Sequence, residues 1–505
     1  GLYVVNRERA VAQRRFVQVR QLAGKLFEID AQVRQLPGNS KTRQFIVDTA
    51  LDYLQRLAAD AGNDPDLALE VGTAYMRVAR VQGVPISANL GQLAEAERTL
   101  GKAETLINGV LAVDPRNRTA ILRSAQIAHD RMILSGLKRP DTEAMPYARK
   151  AADRLEQYLA SGPVDPAEAQ QVVIAYMNVA NRYMLADRLD ESIRMSLRTI
   201  EIARATNQPL QVGAAEMVVA SALRAQGDLD DALRHSAESV RVLEPPPNDE
   251  RVGRSMVFTT ALTRQAAILA DAGGVSLHRP DEAEPILERA IAIGERFAAQ
   301  DASDADSRLR LSAACLQLAS LLVTKDPVRA LGVHDHALRR LAEVKNNSKA
   351  RRDEVRALAG SAQILHGLGR HAEARGRLEN AFGLLRLLNL YPAKTVLLGS
   401  EADDALRAQA EGEAETGDLT HAIETYDRLL DAIVAGAPES ETNLEDATLL
   451  SDLYASMAAL DRRAGRADAA ASLDAQRLAL WEQWERKRPQ SAFVRRELDA
   501  ARSRT

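Results

Sequence analysis

His334 and His336 lie two residues apart, and His366 and His371 flank a turn. Side chains two apart on a helix point in nearly opposite directions, so the first pair cannot hold one metal ion; chelation from a helix needs a spacing of about four. His334 falls in register with Ala330 and Ala337 and reads as a groove-filling residue, and the second pair offers no better ligand geometry. Glu282/Glu284 and Asp403/Asp404 stand at expected exposed helix starts, where carboxylates favour the helix dipole and need no catalytic role. Cys315 is the only cysteine, which excludes an intrachain disulfide and a cysteine-based zinc site. Its apolar neighbours Ala314 and Leu316 suggest a buried, inert thiol. Gly101-Lys102 has Ala96 where a phosphate loop needs its first glycine. No serine–histidine arrangement stands out. The sequence therefore predicts no catalytic residue, no metal site and no cofactor.

With chemistry set aside, periodicity is the strongest signal. Small residues recur at Ala96, Ala148, Ser192, Ala232, Ala283, Ala330, Ala374, Ala422 and Ala470, at intervals of roughly 40 to 50 residues, the period of stacked helical hairpins. Gly227, Gly369, Gly417 and Gly465 each close one helix just before a polar residue opens the next, as expected for a left-handed C-cap followed by an N-cap. In four repeats the anchor is followed by a groove-filling residue four on and a small one seven on: Ala96/Leu100/Ala103, Ala283/Leu287/Ala290, Ala330/His334/Ala337 and Ala374/Leu378/Ala381. Longer connections at 83–89, 136–142 and 273–280 all fall between the first and second helix of a pair. The triple proline Pro245-Pro246-Pro247 suggests a stiff joint, giving a helix over 1–37 and arrays over 38–244 and 248–505.

Val19, Leu22, Leu26, Ile29, Val33 and Leu36 form a heptad stripe that could dock on the first repeat or pair two copies of the chain into a homodimer. Leu2-Tyr3-Val4-Val5 reads like the end of an apolar span, followed at once by Asn6-Arg7-Glu8-Arg9. At the other end Trp481 and Trp484 adjoin Arg486, Lys487 and Arg488. A net charge of −4 argues for a cap over the last repeat and against a nucleic-acid partner.

Val71-Gly72 with Tyr75, and Gly-Asp-Leu-x-x-Ala at 227–232 and 417–422, resemble the tetratricopeptide repeat, although the period exceeds the usual one and several repeats lack the glycine and tyrosine. The resemblance implies an all-α, tetratricopeptide-like helical-hairpin solenoid. It would be a right-handed superhelix of about nine pairs with N-terminal helices and a C-terminal cap. In such repeats the first helices line the concave face. That places Thr73, Met76, Arg77, Met177, Asn181, Met184, Met217, Ser221, Arg224, Gln363 and His366 on a surface suited to a protein or peptide ligand.

A second resemblance covers the first hundred residues. Arg15-Phe16-x-x-Val19-Arg20, Leu26-Phe27-Glu28-Ile29, Lys41-Thr42-Arg43, Ala50-Leu51-Asp52-Tyr53-Leu54, Val81-Gln82-Gly83 and Ser87-Ala88-Asn89-Leu90-Gly91 occur in that order. The string is similar to the region after the membrane span in bacterial receptor-like serine/threonine protein kinases with C-terminal tetratricopeptide repeats. That resemblance implies a periplasmic sensor domain, tethered through a span outside this chain, whose parent is a kinase; this chain holds none of the kinase motifs. The alternative is a cytosolic tetratricopeptide scaffold that assembles protein partners without a kinase. An apolar span ahead of Gly1 would separate the two.

Overall fold

A computed structural model describes residues 2–34, 36, 38–86, 89–136 and 143–503; Pro37, Ser87, Ala88, residues 137–142 and the side chains of Phe16 and Val19 lie outside the described set. Every regular element among these residues is helical. α1 (Leu2–Val33) and α2 (Ser40–Asp60) precede nine hairpins. These are α3 (Pro65–Gln82) with α4 (Leu93–Val113), α5 (Arg118–Gly136) with α6 (Ala144–Ala160), and α7 (Ala169–Leu185) with α8 (Leu189–Ala205). Next come α9 (Pro209–Gln226) with α10 (Leu229–Leu243), α11 (Val252–Leu269) with α12 (Pro280–Gln300), and α13 (Ala305–Leu322) with α14 (Pro327–Ala342). The last are α15 (Ser348–Gly367) with α16 (His371–Leu387), α17 (Glu401–Glu415) with α18 (Leu419–Ala435), and α19 (Leu444–Arg463) with α20 (Ala467–Lys487), before a final α21 (Ala492–Arg502). This is the expected tetratricopeptide-like hairpin array.

All nine small anchors lie on the second helix of a pair and are 2% exposed or less. With almost no side chain there, the two backbones of a hairpin approach closely, while Leu100, Leu287, His334 and Leu378 fill the adjoining groove. Ser192, the one polar anchor, is satisfied by donating to the Ala180 carbonyl at 2.8 Å. The four turn glycines adopt φ of +85° (Gly227), +77° (Gly369), +89° (Gly417) and +76° (Gly465), which side chains with a Cβ resist. Between α7 and α8 Asp187 takes the same role at φ +59°, a conformation aspartate tolerates better than most residues.

The chain forms two compact units, Gly1–Gln211 and Val212–Thr505, so the triple proline falls inside the second. In the first unit, residues 2–15 of α1 are exposed throughout. Only the far end of α1 docks: Leu26 is buried, and Asp30 takes two bonds from Arg43 of α2, at 2.7 and 3.1 Å, out of contact with water. Ile29 and Leu36 remain exposed, so the heptad stripe is only partly covered. No helix among the described residues is long and apolar enough to cross a membrane.

In the second unit the C-terminal cap covers the last repeat as expected: Trp481 donates to Ser451 Oγ at 2.8 Å and Trp484 to the Ser440 carbonyl at 2.8 Å. It also reaches the opening hairpins of the same unit. Trp481, Phe493, Val494 and Leu498 share one buried cluster with Ala220, Leu229, Ile268 and Val275, and Arg496 donates to the Ser276 carbonyl at 2.7 Å. The array of this unit therefore closes on its own beginning.

Candidate functional site

Consecutive first helices are joined by polar bonds between side chains that face along the wall. In the first unit Arg80 of α3 grips Asp130 of α5 at 2.7 and 3.1 Å, and Arg123 of α5 donates to the Thr73 hydroxyl at 3.1 Å. Burial alone would raise the Asp130 carboxyl, but Arg80 and His129 outweigh it and hold it below its ordinary range. Asn178 of α7 continues the series to His129 at 2.9 Å. In the second unit the links run from Arg264 to Ser221 (3.3 Å), from Arg310 to Thr260, from Arg356 to Asp404 (2.6 Å), from Gln363 to Glu411 (2.7 Å) and from Arg407 to Asp452 (3.5 Å).

A recess on the first unit's wall holds about 350 Å³ between α1, α2, α3 and α5. Its floor is apolar, from Phe27, Leu54, Leu57 and Leu67, and its rim carries Arg20, Arg77 and Arg123. Arg123 is fixed by Glu168 at 2.6 Å, and Arg20 meets Glu70 at 3.2 Å. Among the described residues Arg77 has no direct carboxylate bond; its guanidinium lies over the Phe27 ring, 5.7 Å from the centroid. Desolvation by the surrounding wall and then the charge of Arg123 lower its pKa, while Glu168 and Glu70 oppose this from farther away. The recess thus offers guanidinium charge beside an apolar surface.

Of the residues expected on the concave face, Thr73 and Arg77 meet in this recess, whereas Met76 between them is buried in hairpin packing. Met177, Asn181 and Met184 are half-buried along α7. Met217, Ser221 and Arg224 share a stripe of α9, with Arg224 tied to Asp271 at 2.5 Å and to the Val275 carbonyl at 2.8 Å. Gln363 is spent on Glu411, and His366 lines two recesses of about 330 and 270 Å³ in the second unit.

One expectation about chemistry, the exposed setting of Asp403, needs correction. His366 and His371 do meet across their turn, Nδ1 to Nδ1 at 2.9 Å, because the turn folds α16 back over the end of α15. No metal-holding group of three such side chains exists among the described residues. Asp403 is not on an exposed helix start but buried, taking the Gly399 amide at 2.8 Å and Arg407 at 2.7 Å. Cys315 is buried as expected, and burial pushes its thiol up to about 12, where it is inert. His334 is buried in its groove. The arginines Arg123, Arg264, Arg310, Arg356 and Arg407 dominate the wall yet escaped sequence reasoning. They stand anywhere from the sixth to the thirteenth residue of their helices, so no fixed position marks them.

No family model matches the chain, and no curated protein does. Solved structures do. A Rap protein complexed with competence and sporulation factor is 13% identical across 84% of this chain and 98% of its own, with a TM-score of 0.43. Aspartyl phosphate phosphatase F from Bacillus subtilis is 12% identical across 91% and 94%, with a TM-score of 0.41. NprR in complex with its cognate peptide NprX is 12% identical across 74% and 97%, with a TM-score of 0.38. Likeness at this level extends no further than a helical-repeat architecture.

Proposed function

We propose that this chain is a protein-interaction sensor whose first unit captures a carboxylate-bearing peptide segment in the recess between α1, α2, α3 and α5. The observation that carries this reading is Arg77, a guanidinium at the recess with no direct carboxylate partner, beside Arg123 and above an apolar floor. An acidic side chain or chain terminus next to an apolar one satisfies both surfaces, since a guanidinium fork matches a carboxylate in charge and geometry. The wall is rigid because its helices are cross-linked by Arg80–Asp130 and Arg123–Thr73, so little ordering is needed on binding.

In its finer form the proposal makes the chain the periplasmic sensor region of a bacterial transmembrane serine/threonine kinase, without catalysis of its own. Support comes from the ordered segments between Arg15 and Gly91 that resemble that kinase family. The exposed length of α1 is free to pair with a second copy and so to relay capture toward a kinase. The rival is the cytosolic scaffold. Reading the gene upstream of Gly1 discriminates them: the sensor requires an apolar span preceded by a kinase domain, and an upstream region with neither would sink it. For the ligand half, kinase output in cells carrying Arg77→Glu should stop responding to envelope extract. An undiminished response in a folded variant would refute capture at this recess.

A further inference from the structure

The opening hairpins of the first unit recur in the second, 187 residues on (Ala96 to Ala283). That offset carries α3 onto α11 and α4 onto α12 end for end, and the start of α5 onto the start of α13. Ala96, Leu100 and Ala103 become Ala283, Leu287 and Ala290. The long connection repeats its backbone bonds: Leu90 N to Val81 O (3.0 Å) and Gln92 N to Gln82 O (2.8 Å) reappear as Leu277 N to Ile268 O (2.9 Å) and Arg279 N to Leu269 O (2.7 Å). The cap of the next helix repeats too, Asn117 accepting from the Ala120 amide and Asp304 from the Ser307 amide.

The same offset maps Thr73, Arg77 and Arg123 onto Thr260, Arg264 and Arg310. In both copies the later arginine donates to the threonine hydroxyl. In both, the earlier arginine is lowered by desolvation and by its partner's positive charge. The copies differ in their acids. Glu70 is replaced by Val257, and the ion pair Arg80–Asp130 by Ala267 and Gln317. Gln317 Oε1 is buried and accepts no hydrogen bond among the described residues. Other arginines on this wall have carboxylates: Arg224 has Asp271, Arg356 has Asp404 and Arg407 has Asp403. Among the described residues Arg264 bonds only the Ser221 hydroxyl, and Arg310 meets Asp306 at 3.2 Å. A half-buried guanidinium facing another, without an acid of its own, is costly, and an incoming anion would remove that cost.

We propose that Thr260, Arg264 and Arg310 form a second binding site, taking a peptide carboxylate like the first. This rests on reading the Thr73/Arg77/Arg123 recess as a carboxylate site. The second copy has valine where the first has Glu70, and Arg264, unlike Arg310 with Asp306, meets no carboxylate among the described residues, so its guanidinium is the more available of the two.

The test is calorimetric titration of the whole chain with tetraglutamate capped at both ends. Two equivalents should bind. Arg264→Gln should leave one, and so should Arg77→Gln, while Arg264→Lys keeps both with the second weakened about tenfold, because lysine retains charge and loses the fork. One equivalent that survives Arg264→Gln but not Arg77→Gln would overturn the second site and leave the first standing. One that survives Arg77→Gln but not Arg264→Gln would keep the second site and overturn the first. Absence of binding would overturn both. Inorganic phosphate displacing the peptide from the Arg77→Gln protein at equal concentration would overturn the peptide as occupant. Unchanged circular dichroism in the variants ensures that loss of an equivalent reports the site.

Discussion

Converting the buried ion pair of the first unit into the neutral pair of the second should be less damaging than either half of the change alone. Asp130 is 0% exposed and Arg80 17%, and the carboxylate also receives His129 Nδ1 at 2.9 Å. Removing one member of a buried pair typically costs about 3–5 kcal/mol, because the other charge is left uncompensated. Asp130→Gln leaves an arginine that still reaches Gln171 and some water, so its cost belongs at the lower end, about 3 kcal/mol. Arg80→Ala strands a fully buried carboxylate and should cost about 4 kcal/mol at neutral pH. The double variant buries no unpaired charge and has the composition of Ala267 and Gln317, so its cost should be that of lost packing, about 1–2 kcal/mol. The cycle then yields a coupling of several kcal/mol. Amide hydrogen exchange in α3 and α5 reads the local stability of this hairpin pair directly. Costs that add to within about 0.5 kcal/mol would refute the reasoning, since independent sites behave that way.

Three further outcomes are expected. Burial, then Arg377, lowers His334 from its ordinary 6.5 to about 4. The unfolded chain thus takes a proton the folded chain refuses, and stability present above pH 6.5 is lost as pH falls toward 4. The loss from this residue should reach about 2 kcal/mol at pH 5, and urea midpoints at pH 7.5 and 5 should shift less in His334→Leu; equal shifts would contradict it. Ala422→Leu places a large side chain where the hairpin backbones meet and should cost about 1–3 kcal/mol, read as a lower melting temperature. Gly412→Ala puts a Cβ against the His366 ring, where the gap allows no atom, and should displace that ring, visible as a changed His366 imidazole NMR signal. An unmoved signal would show the contact to be slack.

The array was legible in the sequence because close packing of two helices demands a small residue at one point per hairpin. A turn that reverses a helix demands a left-handed residue at another. Both demands fall on residue type, so Ala283 or Gly417 announces itself. The site was legible only where one residue sufficed. Thr73 and Arg77 fall on the recess because helical periodicity fixes the face they share, but the same projection put Met76 there although it turns into the hairpin. Arg123 and Arg310 were missed because their roles depend on a hydroxyl fifty residues away, and no local pattern shows such a pairing. The buried Asp30–Arg43 pair was hidden for the same reason: each residue alone looks like ordinary surface charge.

That contrast bears on where binding evolves in such arrays. Each hairpin is held mainly by its neighbours, so the first helices need cross-links, and here many are arginine bonds. An arginine matched by a carboxylate is structural, because its charge is already answered. The 187-residue offset repeats the cross-link and its partner together, Arg123–Thr73 as Arg310–Thr260. In the second copy Val257 stands where the first has Glu70, and Ala267 with Gln317 replace the ion pair Arg80–Asp130 as a whole, so Arg264 keeps its charge with one acid fewer at the counterpart positions. An array built on one repeated hairpin plan can thereby differ in available charge from one copy to the next without a change of architecture. In this chain the place to look for a ligand is where the ladder has a rung with no counter-charge.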